Sequence, residues 1–462
     1  MTAALTARQL LQQPEPVTQG RLQLANTDYE ILASLRHLAG RRSTLQVRRV
    51  ADEQLRVIKL FIAQGKGQQE FERELSAHDH CRSHNIAVAD ICQQLNAEQG
   101  ISAIAYQYLP NARTVAQLDV VEQPITALFE LFARCHQADC YQQDPHLDNF
   151  AWSDGTLYLL DLASVVIADK ALPMDTCLKN LARLLVQWPA ERQTELMAKL
   201  PAYFTIRQQV FTDSLKQKIS ALYDQARRQH QRHYLKKQLR NCTMTGYRLT
   251  PWQQAAWRKG AIEPLQIEQL ESAMQTGQPL KLGNSATVML CQLAGQPRVI
   301  KRYNMKTFGH WLRRCWRPSR AQVSWLNANL LEYAGIRTPA PLGFVEQRWL
   351  GLRHRAYFVC SHVEGRALLD LTDVELAEPD LLAQLKELFS KLRQHRLVHG
   401  DMKANNLLVD ANGQLWLIDL DALRQMPANT FARLHQIDQH RFLQNWQGRD
   451  IEHQLKTVIE AA

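Results

Sequence analysis

No stretch of the 462 residues is apolar for long enough to span a bilayer, which excludes a helical integral membrane protein. The start, Met1 to Pro14, lacks a basic region followed by an apolar core, so no signal peptide is expected. The nine cysteines are odd in number and none are spaced Cys-x-x-Cys. That pattern argues against a disulfide framework or a zinc site and fits a reducing, cytoplasmic compartment. Low-complexity tracts and flexible linkers are also missing, so the parts of the chain are expected to pack directly. What remains is an ordinary globular composition, 45% hydrophobic and 22% charged, long enough for about two to four domains. The net charge of +10 and pI near 9.2 favour anionic partners: nucleic acid, nucleotide, phospholipid headgroups or an acidic glycolipid. Charge alone does not choose among them.

One stretch organises the rest. His399-Gly400-Asp401-Met402-Lys403-Ala404-Asn405-Asn406 runs into two apolar segments, 407–409 and 415–418, around Asn412-Gly413. Asn-Gly between apolar runs predicts a hairpin with those two residues at its tip. Pairing about that tip places Asn406 opposite Asp419, beside Asp401. An amide oxygen and a carboxylate brought together suit a hard divalent cation. Asp401 is then a candidate acceptor for a hydroxyl proton.

The first half repeats the second. Arg56-Val57-Ile58-Lys59 is identical to Arg298-Val299-Ile300-Lys301. Gly40-Arg41-Arg42-Ser43-Thr44 and Gly283-Asn284-Ser285-Ala286-Thr287 precede them. Asp144 to Asn149 keeps the spacing of Asp401 to Asn406, and an apolar–turn–apolar unit then ends at Asp161. Each half starts strand-like (47–50 and 55–62; 287–293 and 298–303) and turns helical, as in the leucine-rich segment 381–394. The order predicts an α+β chain of two tandem domains, 1–245 and 246–462. Each would have a small antiparallel-sheet lobe and a mainly helical lobe, with nucleotide in the cleft between.

His399-x-Asp401-x-Lys403-x-x-Asn406, followed by Ile418-Asp419-Leu420-Asp421, resembles the catalytic loop and metal-binding strand of protein-kinase-like phosphotransferases. Most closely it resembles the lipopolysaccharide-kinase family, the heptose and Kdo kinases of the inner core. The resemblance implies two tandem protein-kinase-like domains using ATP and Mg2+. It implies Asp401 at the acceptor hydroxyl, Lys403 on the transferred phosphoryl group, and Asn406, Asp419 and Asp421 around the metal. Lys301 would hold the ATP phosphates, with Gly283, Ser285 and Thr287 as the phosphate loop. The loop falls short of Gly-x-Gly-x-x-Gly and reads almost as well as an ordinary turn. Lys301 alone would read as an outward lysine on an amphipathic strand; its match with Lys59 favours function.

The first half keeps Lys59, Gly40, Thr44, Asp144, Asn149 and Asp161, but carries Gln142-Gln143, His146 and Ala163 where the second has His399-Gly400, Lys403 and Asp421. It reads equally as a second catalytic site or a nucleotide-binding relic. The glutamate that should orient the strand lysine is not evident. Between Lys301 and Pro339 the only acid is Glu332, while the first half offers Glu70, Glu72 and Glu74.

Phe308 to Arg320 interleaves Trp311, Leu312 and Trp316 with Arg313, Arg314, Arg317 and Arg320. It suits anionic headgroups or, equally, a helix packing its tryptophans on its own domain. The implied substrate is an acidic glycolipid on the inner face of the inner membrane, with peripheral membrane contact and no nucleic acid. A Ser/Thr protein or small-metabolite kinase and a non-catalytic tandem pseudokinase scaffold are the alternatives. The missing Ala-Pro-Glu after Asp419 speaks against a protein acceptor.

Overall fold

A computed structural model describes residues 5–98, 100–119, 123–283, 286–304 and 315–462. Ser285 and residues 305–314, which include 308–314 of the basic–aromatic stretch, lie outside the described residues. The chain is mixed α and β and forms two compact units, Met1–Arg227 and Arg228–Ala462. The division falls inside the helix Asp213–Lys237, upstream of the boundary expected near 245. The reason is packing: Leu235 and Leu239 are already covered by the core of the second unit.

The first unit opens with a seven-stranded sheet. Its last five strands, in spatial order, are Thr27–Leu38, Arg42–Arg49, Leu55–Ile62, Ile101–Gln107 and, at the edge, Ile91–Glu98. Burial alternates along Arg42–Arg49, where Ser43, Leu45 and Val47 face inward, the period of a half-buried strand. The helix Gly65–Ser83 turns Glu70, Phe71, Glu74, Ala77, His78 and Cys81 inward. The helices Ile125–Gln137 and Met174–Leu185 follow, around a core that includes Phe129, Phe132, Leu181 and Leu184.

The second unit repeats that strand order. Gln278–Leu282, Ala286–Leu293, Gln296–Tyr303, Leu352–Ser361 and Pro341–Trp349 lie side by side, and Gln253–Arg258 and Thr245–Leu249 extend the last edge. The helix Arg320–Tyr333 starts at Ser319, whose hydroxyl accepts from the Gln322 amide at 3.1 Å, a side-chain cap. The helix Pro379–Gln394 buries Leu381, Leu382, Leu385, Leu388, Phe389 and Leu392 along one stripe. It packs against the hairpin Leu407–Asp410 / Leu415–Leu417 and the helix Ala428–Leu443 in one core.

Candidate active site

The hairpin forms, with a register one step from the one expected. Leu407 pairs with Leu417 and Val409 with Leu415, so Asn406 stands opposite Ile418, whose amide donates to the Asn406 carbonyl at 2.9 Å. The turn is a three-residue loop, Ala411-Asn412-Gly413, in which only Gly413 takes positive φ, at 72°. Asp410 sets the loop length. Its Oδ1 accepts from the amides of Asn412 and Gln414, both at 2.9 Å, and bonds of that kind favour the longer turn. Asp419 therefore lies one step past the paired strand. It is left-handed, φ 59° and ψ 63°, an uncommon backbone for a residue with a Cβ.

That turn aims Asp419 at the sheet. Lys301, at the middle of Gln296–Tyr303, places Nζ 2.6 Å from Asp419 Oδ1 and 2.9 Å from Asp421 Oδ2. Asp421 is surrounded. Its Oδ1 accepts from the Tyr303 hydroxyl at 2.6 Å and the Ser324 hydroxyl at 2.8 Å, and its Oδ2 from Arg320 at 2.6 Å. Burial alone would push the Asp421 carboxyl up, but Lys301, the Tyr303 hydrogen bond and Arg320 together hold it below the ordinary carboxylate range. Tyr303, buried against that carboxylate, is pushed well above the usual phenol value. The glutamate sought on the following helix is replaced from the other side: Asp421 is the lysine's second carboxylate. Four donors on its two oxygens leave it poorly placed as the metal ligand expected from sequence. Asn327, on the helix Arg320–Tyr333, instead donates its amide to the carbonyls of Leu420 and Leu423, both at 2.9 Å.

The loop is bracketed from behind by residues that sequence reasoning missed. Asp438, buried on the helix Ala428–Leu443, accepts the His399 amide at 2.6 Å and the Gly400 amide at 3.1 Å. Arg441, one turn on, donates to the Gly400 carbonyl at 2.7 Å and lies 3.3 Å from Asp401 Oδ1. Lys403 holds the same oxygen at 2.9 Å, so two cations fix a carboxylate that stays about two-fifths exposed. Asp438 follows His399 by 39 residues and Arg441 follows Gly400 by 41, on a separate helix outside the loop motif. His399 is fully buried, with Nε2 3.1 Å from the Ile418 carbonyl, and ties the loop to the second strand of the ribbon.

Asn406 donates its amide to the Asp401 carbonyl at 2.8 Å, leaving its amide oxygen without a protein partner among the described residues. That oxygen and Asp419 are hard donors, the kind magnesium takes. No cluster of three or more His, Cys, Asp or Glu able to hold a metal exists among the described residues. Magnesium bound with phosphate needs none, because it keeps several waters and takes only one or two protein oxygens.

The phosphate loop fits less well. Val288, not Thr287, pairs with Lys301; Thr287 pairs with Arg302 and accepts from the Asn304 amide at 3.2 Å. Direct cross-strand neighbours share a face, so Thr287 lies on the side of the sheet away from Lys301. The Gly283 amide is taken by the Ala286 carbonyl at 3.1 Å.

In the first unit Thr44 does pair with Lys59. Lys59 meets Glu74 of the following helix, fully buried, and donates to the Leu160 carbonyl at 2.8 Å. Glu74 also accepts from the Tyr106 hydroxyl at 2.8 Å and the Ala163 amide at 2.7 Å. Asn149 donates to the Asp144 carbonyl at 2.8 Å, repeating the contact of Asn406 with Asp401. Asp161 differs: Arg36 lies 3.6 Å and Arg42 3.8 Å from its carboxylate. The Gly40 amide is taken by the Leu11 carbonyl at 2.7 Å. His146 pairs with Asp148 at 3.2 Å rather than with Asp144.

The second unit thus brings a strand lysine against an aspartate at the end of a folded-back ribbon, beside a loop Asp and Asn. Residues 301–457 match the model of the lipopolysaccharide kinase (Kdo/WaaP) family, a match that begins at the strand lysine itself. Through that region, about a third of its length, the chain is similar to this family. It is 31% identical over 87 residues to a 3-deoxy-D-manno-octulosonic acid kinase of Xylella fastidiosa, covering 19% of this chain and 34% of that protein. It is 27% identical over 150 residues to the kinase of the same name from Stenotrophomonas maltophilia, covering 31% and 53%. The chain thus spans between a third and about half the length of these relatives. Among solved structures, the BubR1 kinase domain aligns with a TM-score of 0.27 at 14% identity, over 34% of this chain and 53% of that one.

Proposed function

We propose that the second unit is an ATP-dependent phosphotransferase that phosphorylates a sugar hydroxyl, heptose or Kdo, of lipopolysaccharide inner core. The observation that carries this reading is the 2.6 Å contact of Lys301 with Asp419, at the end of the ribbon that ties Asn406 to Asp401. In this reading Lys301 grips the α- and β-phosphates. Asn406 and Asp419 hold Mg2+, which neutralises phosphate charge when bound. Asp401 takes the acceptor's proton as the oxygen–phosphorus bond forms and the bond to the β–γ bridging oxygen breaks. Lys403 stands beside the transferred group, where a cation stabilises charge as it redistributes. Asp421 keeps Lys301 aimed rather than binding metal. The choice of sugar rests on the named relatives.

For the first unit a phosphate-binding, non-transferring role is favoured by the two arginines against Asp161, which occupy the side where the second unit leaves its aspartate to a single lysine. Lys59, Thr44 and Asp144 would then position phosphate without completing transfer.

Labelled ATP offered to purified core oligosaccharide, to protein or to no acceptor tests the reading. Label is expected in the oligosaccharide only. Asp401→Asn should cut transfer by about 10²-fold or more while ATP binding persists, and Asp144→Asn should leave transfer unchanged. Full activity in Asp401→Asn with loss in Asp144→Asn would move the chemistry to the first unit and overturn this assignment.

A further inference from the structure

Five large apolar side chains are exposed together at one corner of the second unit. Leu249 and Trp252 sit on the hairpin joining Thr245–Leu249 to Gln253–Arg258, Trp349 and Leu350 on the hairpin joining Pro341–Trp349 to Leu352–Ser361, and Trp316 on the segment before the helix Arg320–Tyr333. The two tips are stitched side by side: Arg348 N donates to the Trp252 carbonyl at 2.7 Å and Gly351 N to the Pro251 carbonyl at 3.0 Å. Arg353 joins the third segment, donating to the Cys315 carbonyl through its amide and to the Trp316 carbonyl through its guanidinium, both at 3.2 Å. The five side chains are between 55% and 73% exposed, where a folded chain would ordinarily cover at least the tryptophans.

We propose that this corner docks the protein on an anionic lipid bilayer. Three features select a membrane. The apolar groups stand on hairpin tips, which protrude and can enter an interface without unfolding anything. Three of the five are tryptophans, whose apolar rings and polar N–H suit the headgroup boundary. The charge is in excess of one sign: segments 247–253, 315–320 and 347–355 hold six arginines and no acidic residue, and the carboxylates that meet Arg320, Arg348, Arg353 and Arg355 from elsewhere are three, Asp421, Glu346 and Glu271. Glu346, the acid nearest in sequence, is fully buried under Arg348 and Arg353 at 2.9 and 3.0 Å. Arginine around an apolar tip attracts anionic headgroups while the tip adds buried area. The docking surface is also near the chemistry, since Trp316 lies four residues before Arg320, which contacts Asp421. That proximity to a lipid-borne acceptor rests on the function proposed above; the docking does not.

The test is flotation of the full chain with phosphatidylcholine–phosphatidylglycerol vesicles against pure phosphatidylcholine vesicles. The wild type is expected to float with the anionic vesicles. The triple variant Trp252→Ser/Trp316→Ser/Trp349→Ser should bind about tenfold more weakly or worse, with an unchanged thermal midpoint, while the triple Phe variant retains binding. A wild type that stays at the bottom, or a Ser variant that floats as well as wild type, overturns the proposal. So does a wild-type dimer that the Ser variant breaks in sedimentation with flotation unaltered, since the occupant is then a second copy. The Ser variant should still phosphorylate soluble core oligosaccharide but lose transfer to glycolipid in vesicles. A wild type that binds anionic vesicles yet transfers phosphate to neither acceptor upholds the docking and removes the proposed function.

Discussion

Lys59 and Lys301 occupy the same strand of their sheets yet meet their carboxylates from different directions. Lys59 is paired from the helix by Glu74, and Ala163 near that pair contributes only its amide. Lys301 is paired from the ribbon by Asp421, and the helix contributes the Ser324 hydroxyl. Each lysine has one buried carboxylate, since two buried together would repel; Asp419, the other partner of Lys301, is about a third exposed. Asp421→Ala removes the partner of two cations at once. It should destabilise the second unit by about 3 kcal/mol or more and cut transfer sharply. Returning the carboxylate from the helix side, as Asp421→Ala with Ser324→Glu, should recover part of both, read by the melting midpoint and by KM for ATP against kcat. A double variant no better than the single one would show that the direction of approach matters as much as the charge. This exchange was hidden in the sequence. An acid two residues after the metal-facing aspartate looks the same whether it faces metal or lysine.

At the scale of elements, the loop and the ribbon were legible because their parts are contiguous, and the strand lysines because a tetrapeptide recurs. The register was not. It depends on whether the tip holds two residues or three, and the side chain of Asp410 made that choice. The same parity put Thr287 on the far face. Asp438 was illegible because a single buried acid on a later helix carries no pattern of its own. The glycines of the loop and the tip should respond differently to a methyl group. At Gly413 a Cβ meets open space, so Gly413→Ala costs only the positive φ, about 1 kcal/mol. At Gly400, φ 79°, a Cβ would sit 2.9 Å from the Ala422 carbonyl oxygen. Gly400→Ala should therefore destabilise by about 2 kcal/mol or more and displace Asp401, lowering transfer as well as stability. Denaturant midpoints of the two variants, side by side with their rates, check the contrast.

At the scale of the whole molecule, the first unit has a pH sensitivity of its own. His136 is buried between the Tyr203 hydroxyl at 2.9 Å and the Asn180 amide oxygen at 3.1 Å, and burial brings its pKa down from 6.5 to about 4. The native state thus prefers the neutral ring, and the unfolded chain takes the proton first. The stability contributed is complete above about pH 6.5 and is lost as pH falls towards 4, by up to about 3 kcal/mol. Hydrogen exchange along Ile125–Gln137 between pH 7 and pH 5 should show that loss in wild type. His136→Gln should start less stable and change little over the same range.

The way Asp421 holds Lys301 has a consequence for control. Where a kinase relies on a mobile helix to bring up the glutamate, swinging that helix switches the enzyme. Here the clamp is built into the same short ribbon that carries Asp419, and Glu332, the acid of that helix, pairs with Arg258 instead of Lys301. On the function proposed above, a swing of that helix would leave both aspartates at Lys301 and loosen only the grip of Ser324 and Arg320 on Asp421.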